Sequence, residues 1–337
     1  MKRILPFGLV LALLISSCAP ASRNAVTDLP HTSQQSSHMA NASAPDATPR
    51  HFVDPNIELS GKSPSSMMTL PRSQDGEIIL SPGYYETEFK SYCLQPGTPG
   101  PSGADAYFQA PLSGNRKDMV ETVLRNSLDH PELEQRNIQL LLWNMVSGGD
   151  FNRLSGPVKG TARTLLTNKQ VFQLQGGVMN VVRQVTQAIP IPELSRAYGE
   201  MKNLFDLGNS SYEAYERIAV LNRAPVQVRN GAGRDQWYFQ DAGYYVRYQP
   251  ENYQKVKVQV YVPDNLLDSA GKKGDSYVLF DPVTMMAVPS STNAQHLGIG
   301  APIGDVIRKV IVIDRPASPS NGKDAPIRKF PKGVTHM

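Results

Sequence analysis

The chain has 337 residues, long enough for one large domain or two ordinary ones. Its 34 basic and 30 acidic residues nearly cancel to +4, and no basic cluster stands out, which excludes a nucleic-acid partner on charge. Two cysteines, Cys18 and Cys93, exclude a disulfide framework, and the six histidines show no metal-ligand spacing, so no metal and no cofactor is expected.

The N-terminus is the most specific segment. Met1-Lys2-Arg3 gives a basic start, and the apolar run Ile4–Ile15 is shorter than the about 20 residues a bilayer span needs but suits a signal-peptide core. Ile15-Ser16-Ser17-Cys18 then resembles the lipobox of bacterial lipoproteins. The resemblance implies cleavage before Cys18, acylation of that cysteine and anchoring to a membrane. Ala19 in place of an aspartate implies sorting to the outer membrane. On this reading 1–17 is the signal peptide. The stretch 18–50, rich in Ser, Ala, Asn, Thr and Pro, is a disordered tether that buries too little to offset ordering entropy.

The folded part begins near 51. Asp75-Gly76 is a turn signal before a strand at Glu77–Leu80. From Tyr84 to Leu94 the chain alternates. Tyr85, Thr87, Phe89, Ser91 and Cys93 share one face, and Glu86, Glu88 and Lys90 the other. The middle reads as helices over Arg116–Leu128, from Pro131 to about Val146, and over Pro157–Thr167, Val178–Ala188, Pro192–Leu207 and Tyr212–Leu221. Pro131 is expected in the first turn of the second helix, with Glu132 and Glu134 near its positive end. Strand patterns return at Gln236–Tyr248, Lys255–Val262, Ser276–Ala287 and Ile307–Ile313, and a Pro- and Lys-rich tail follows from 316 to 337. The fold class is α+β, with a helical middle segment packed against strands from both the N- and C-terminal parts. The domains are then 51–222 and a β-rich 223–315, which either shares one sheet with the first part or stands as its own domain.

Cys93 is the one thiol left after acylation of Cys18. It is either reactive or a buried small hydrophobe. On the second helix, Ile138, Leu141, Leu142 and Met145 form one stripe, with Gln139, Trp143 and Val146 beside it. A helix apolar nearly all round is buried. Gln139 is therefore expected inside, with a definite partner, because an unpaired buried amide costs about 1–3 kcal/mol. The commoner fate of such an amide is to bond neighbouring backbone.

Tyr92-Cys93-Leu94, followed by Ile138-Gln139-Leu140-Leu141-Leu142-Trp143, resembles the bacterial thioester domains of surface adhesins. The resemblance covers about a third of the chain. It implies a Cys–Gln thioester at Cys93, with Tyr92 and Trp143 in support, that acylates an amine on a protein or glycan partner. In that family Thr or Ala stands in place of Ile138, the glutamine before the tryptophan is a supporting residue, and a later glutamine is the acyl donor. Val258-Gln259-Val260 is the best later match. Yet Gln259 lies on the face opposite the valines. Periodicity favours Gln139 as the buried amide and family order favours Gln259, so both stand as candidates. A Cys93/His130 dyad lacks a supporting motif, Gly298–Gly304 is not a dinucleotide fingerprint, and the Trp237–Tyr248 aromatics read as packing. Two roles follow: a surface lipoprotein that binds through the thioester, or a structural lipoprotein of an envelope assembly with no chemistry at Cys93.

Overall fold

The computed structural model describes residues 52–53, 59–176, 192–227, 233–264, 276–304, 310–311 and 328–329. The lipobox, the tether, the helix expected at 178–188 and all of the tail except 328–329 lie outside the described residues.

The protein is α+β, and its centre is a closed six-stranded barrel. The barrel strands are β1 (Gly83–Cys93), β2 (Tyr107–Pro111), β3 (Tyr244–Asn252), β4 (Lys255–Val262), β5 (Met285–Pro289) and β6 (Leu297–Pro302). They run in the order β1-β6-β5-β2-β3-β4, and β4 returns to β1. All the pairings are antiparallel, and the seam is the single pair Tyr107↔Tyr248 between β2 and β3. Strands from before and after the helices thus share one barrel.

The alternation in β1 sets its faces. Tyr85, Thr87 and Phe89 lie opposite Val260, Val258 and Val256 of β4, and all are buried. The opposite face carries Glu86, Glu88, Lys255 and Lys257, joined by Lys255–Glu88 at 3.1 Å and Lys257–Glu86 at 3.6 Å. These are surface pairs worth at most about 1 kcal/mol each, so they choose a face more than they hold the fold.

Six α-helices are described. They are α1 (Lys117–Asn126), α2 (Gln135–Ser147), α3 (Gly156–Leu165), α4 (Asn168–Leu174), α5 (Pro192–Asp206) and α6 (Tyr212–Ala219). In α2 every residue from Ile138 to Ser147 is buried, as its all-round apolar pattern requires. It ends at Gly148, whose φ of 70° is the left-handed cap that glycine adopts without strain.

Several boundaries differ from the sequence reading. Pro131 and Glu132 stand before α2 and not in its first turn, because Leu133 N–H bonds His130 C=O in a tight turn and Glu134 becomes the N-cap. The strand pattern expected over Gln236–Tyr248 is a hairpin, Trp237–Gln240 with β3, broken at Gly243 with φ of 90°. The stretch Ser276–Ala287 divides into Ser276–Phe280 and β5, because Pro282–Thr284 forms a 3₁₀ turn capped by Asp281. Arg328–Lys329, in the tail, pairs with Ser276–Tyr277.

β6 gave no alternating pattern because its sequence, Leu297-Gly298-Ile299-Gly300-Ala301-Pro302, interleaves aliphatics with glycine. The glycines are there for space. A Cβ on Gly300 would fall 2.6 Å from the Tyr92 ring, and one on Gly298 3.0 Å from Leu94. Replacing Gly300 by Ala should therefore destabilise the protein by about 1–3 kcal/mol through overpacking. The same change at Gly160 in α3, where a Cβ meets nothing within 4 Å, should stabilise it by up to about 1 kcal/mol. Urea denaturation of the two variants checks the contrast, and equal midpoints would show that β6 yields around Tyr92.

Candidate functional site around Cys93

Cys93 ends β1 and is a free, fully buried thiol. β4 covers this strand only as far as Lys255↔Lys90, so beyond that point one edge of β1 has no neighbouring strand. Buried main-chain groups there need other partners. Ser91 N–H bonds Gln254 C=O at 2.9 Å. α2 supplies the rest. Gln135 Nε2 donates to Ser91 C=O at 3.1 Å and to Gln254 C=O at 2.8 Å. Gln139 closes a two-way bond with Cys93: Cys93 N–H donates to Oε1 at 2.9 Å, and Nε2 donates to Cys93 C=O at 3.0 Å. The buried amide expected at Gln139 has its definite partner, and that partner is backbone.

One turn beyond Gln139, Trp143 lies beside the sulfur, its ring centroid 5.5 Å from that of Tyr212 and 6.4 Å from that of Tyr253. Burial pushes the thiol up to about 12, opposed in part by the Trp143 side chain and the Gln95 backbone. The indole N–H has no hydrogen bond of normal geometry and is left facing this site. A sulfur so placed stays protonated at neutral pH and presents no thiolate to reagents in solution.

The structure does not bring Gln259 to Cys93. Gln259 is buried on the charged face of β4, where Nε2 donates to Tyr84 Oη at 2.7 Å and to Glu86 Oε2 at 2.5 Å, and Oε1 accepts from Arg247. His130 bonds Glu132 at an exposed turn. Of the aromatics at 237–248, Trp237, Tyr238, Tyr244 and Tyr248 are buried and Phe239 is exposed.

A different glutamine lies just beyond the strand pairing that holds Cys93. Cys93 pairs with Leu297, and Leu94 N–H bonds His296 C=O at 3.0 Å. Carried on by one residue, that register puts Gln295 diagonal to Cys93. Diagonal cross-strand neighbours lie about 7–8 Å apart at Cα, within reach of a long side chain. Gln295 is fully buried. Its Nε2 donates to Ala219 C=O at 3.1 Å and to Thr98 C=O at 3.3 Å, while its Oε1 has no donor. Its backbone C=O accepts from Tyr107 Oη at 3.0 Å. Burial raises Tyr107 well above its ordinary range and pushes Tyr212 up to about 12. Gln295 carries no local signal, because Asn293-Ala294-Gln295-His296 has neither alternation nor helical period. The one available cue was its position two residues before the glycine-interleaved strand.

No family model, no curated protein and no solved structure matches this chain, so its reading rests on the α+β barrel and this site.

Replacing Gln139 by Ala strands two buried main-chain groups at about 1–3 kcal/mol each, and should lower stability by about 2–5 kcal/mol in denaturant titration. Gln139→Glu should be no better at neutral pH, since a carboxylate accepts from Cys93 N–H but cannot donate to Cys93 C=O. Its deficit should shrink as the pH falls, because protonation restores a donor and removes a buried charge. A loss below about 0.5 kcal/mol for Gln139→Ala would show that water takes over at this edge.

Proposed function

We propose that this chain is an exported, lipid-anchored binding protein whose folded body carries an internal thioester between Cys93 and Gln295. The body spans 51–315 as one unit, supported by the barrel's use of strands from both ends of the chain. The observation that carries the reading is a fully buried carboxamide whose oxygen has no donor, two residues before the residue that pairs with the buried thiol. Gln139 then has the supporting role of holding the main chain of Cys93, and Gln259 belongs to the opposite face.

The chemistry uses what surrounds the pair. The Cys93 sulfur bonds the side-chain carbonyl carbon of Gln295, the carbon–nitrogen bond breaks, and ammonia leaves with the thiol proton. Fixed proximity replaces a bimolecular encounter, which a protonated thiol could not otherwise drive. The indole N–H of Trp143, which faces the sulfur, is a donor for the developing oxyanion. The carbonyls of Thr98 and Ala219, which already hold Nε2, steady the departing nitrogen. Tyr92, Tyr107 and Trp143 exclude water, which would otherwise hydrolyse the product. The product is an acylating group that captures a primary amine on a protein or glycan surface.

The anchor rests on Ile15-Ser16-Ser17-Cys18 and the short apolar run before it. Among the described residues no helix is long and apolar enough to cross a membrane. The proposed location is the outer membrane, with the lipid on Cys18 as the membrane partner and buried acyl chains contributing about 0.8 kcal/mol per CH₂.

Two measurements test this. Freshly purified protein carrying Cys18→Ser should be lighter than its sequence by one ammonia, and should take up methylamine with release of one thiol. Gln295→Ala should abolish both signals. A full sequence mass would remove the thioester and leave the structural lipoprotein, with Cys93 as a packed small side chain. Separately, the wild-type protein should take up labelled fatty acid in a bacterial host, and Cys18→Ser should not. Equal labelling of the two would refute the anchor.

A further inference from the structure

No aspartate or glutamate occurs from Phe151 to Pro192, although the chain holds 30 acidic residues. The described part of this stretch is the 3₁₀ turn Phe151–Arg153, followed by α3 and α4. Its cations, Arg153, Lys159, Arg163 and Lys169, are ordinary in number, and the absence of anions between them is what sets it apart. α3 packs against α1 and α2 and buries Val158, Thr161, Ala162 and Leu165. Its other side is bare. A Cβ at Gly156 or Gly160 meets nothing within 4 Å, and Arg163 and Thr164 are exposed.

Contacts around Asn152 draw the rest of the patch together. Asn152 Nδ2 donates to Gln175 C=O at 3.5 Å, so the chain returns after α4 to the start of α3. Lys159 Nζ donates to Asn152 C=O at 2.7 Å. A Cβ on Gly208 would lie 3.7 Å from Arg153 C=O, and Asp150 N–H bonds Asp206 Oδ1 at 2.9 Å, which brings Leu207 to the same place. Leu207 (82% exposed) and Phe172 (57%), one turn before Gln175, are the two most exposed large apolar side chains among the described residues. The carboxylates at the border are engaged. Asp150 accepts from Asn152 N–H at 2.9 Å and lies 3.9 Å from Arg153, and Asp206 pairs with Lys202. On the α1 side, where Gln170 bonds Thr122, Asp118 and Glu121 pair with Lys117 and Arg125. Arg163 and Lys169 form no ion pair or hydrogen bond among the described residues.

We propose that this face of the α3–α4 hairpin rests on a phospholipid bilayer through its anionic headgroups, with Phe172 and Leu207 entering the headgroup layer and the four cations meeting lipid phosphates. Two separate apolar side chains among unpaired cations do not make the charge-depleted core of a protein interface. They fit a headgroup layer, where apolar tips and cations are both stabilised. A lipid on Cys18 holds the chain at a membrane without choosing which face of the body meets it, and the hairpin makes that choice. The inference goes beyond the anchor and the thioester and requires neither.

The test uses the protein as a bacterial host makes it, carrying Phe172→Trp, mixed with vesicles whose brominated acyl chains quench any tryptophan they touch. Trp143 and Trp237 are fully buried and give a constant background. With phosphatidylglycerol present the introduced indole should lose most of its emission. In pure phosphatidylcholine it should not, although the lipid on Cys18 holds the protein to both. Val226→Trp, at another exposed apolar position, should stay bright in both. Adding Arg163→Glu and Lys169→Glu should lower the docked-to-free ratio at least about twentyfold, at about fivefold for each charge removed. Both side chains are exposed, so the fold does not depend on them. Salt at about 1 M, which cuts the screening length to about 3 Å, should also restore emission. Full emission at position 172 with phosphatidylglycerol present would overturn the docking and leave the face to a protein partner. Equal quenching in neutral vesicles, or quenching that survives the charge reversal, would overturn the anionic partner. Equal quenching at positions 172 and 226 would overturn the choice of face. Quenching with phosphatidylglycerol in a protein that fails to sediment with neutral vesicles would refute the anchor and support this inference alone.

Discussion

The amide of Gln139 closing on the main chain of Cys93 is the contact on which the site depends. β4 stops short, and β1 runs on with one edge bare inside the protein. A helix does not ordinarily complete a sheet, because its own backbone groups are already engaged. Here side-chain amides substitute. Gln135 and Gln139 are four residues apart on α2, an advance of about 6.0 Å. Their targets, Ser91 and Cys93, are two residues apart on a strand, about 6.6 Å. The near match lets one helix satisfy both positions and fixes its height against the barrel. Trp143, one turn further, is then set beside the sulfur without freedom to slide.

That placement decides how Cys93 can react. Burial keeps the thiol protonated at neutral pH, so attack on an outside electrophile is suppressed. Among the described residues no group of three His, Cys, Asp or Glu is placed to hold a metal ion. What burial does not suppress is reaction with a group already held beside the sulfur, because proximity lowers that barrier without a free thiolate. The same walls that make the cysteine inert to solvent would preserve an acyl product from hydrolysis.

Much of this was legible in the sequence where side chains alternate or repeat. The β1 pattern named its buried face, and Val256, Val258 and Val260 named the facing one. The all-round apolar pattern of α2 placed Gln139 inside. What escaped had no periodic signal to carry. β6 is built from glycines that make room for Tyr92 and Leu94, so its information lies in what is absent from each residue. α4 buries no residue and so shows no stripe, although its Thr167–Gln170 capping box is local and readable. Gln295 depends on pairing between residues far apart in the chain, and neither local pattern nor motif order reports such a register.

Three glutamines share one functional group and differ only in what surrounds it. At Gln259 the amide nitrogen meets Tyr84 and Glu86 and the oxygen meets Arg247, so both ends are held in a polar surface network. At Gln139 both ends are held by one residue's backbone, which makes the amide a piece of strand. At Gln295 the ends are unequal: the nitrogen is gripped by two carbonyls and the oxygen has no donor. An unmet buried acceptor carries a penalty of about 1–3 kcal/mol, which a structural amide would be expected to relieve by turning over. Turning over would put the oxygen against two carbonyl oxygens, which is worse, so the orientation is locked. A locked carboxamide with its leaving nitrogen held, its oxygen open to a new donor and a thiol on the diagonal position has the asymmetry that acyl transfer requires. Neither of the other two glutamines has it.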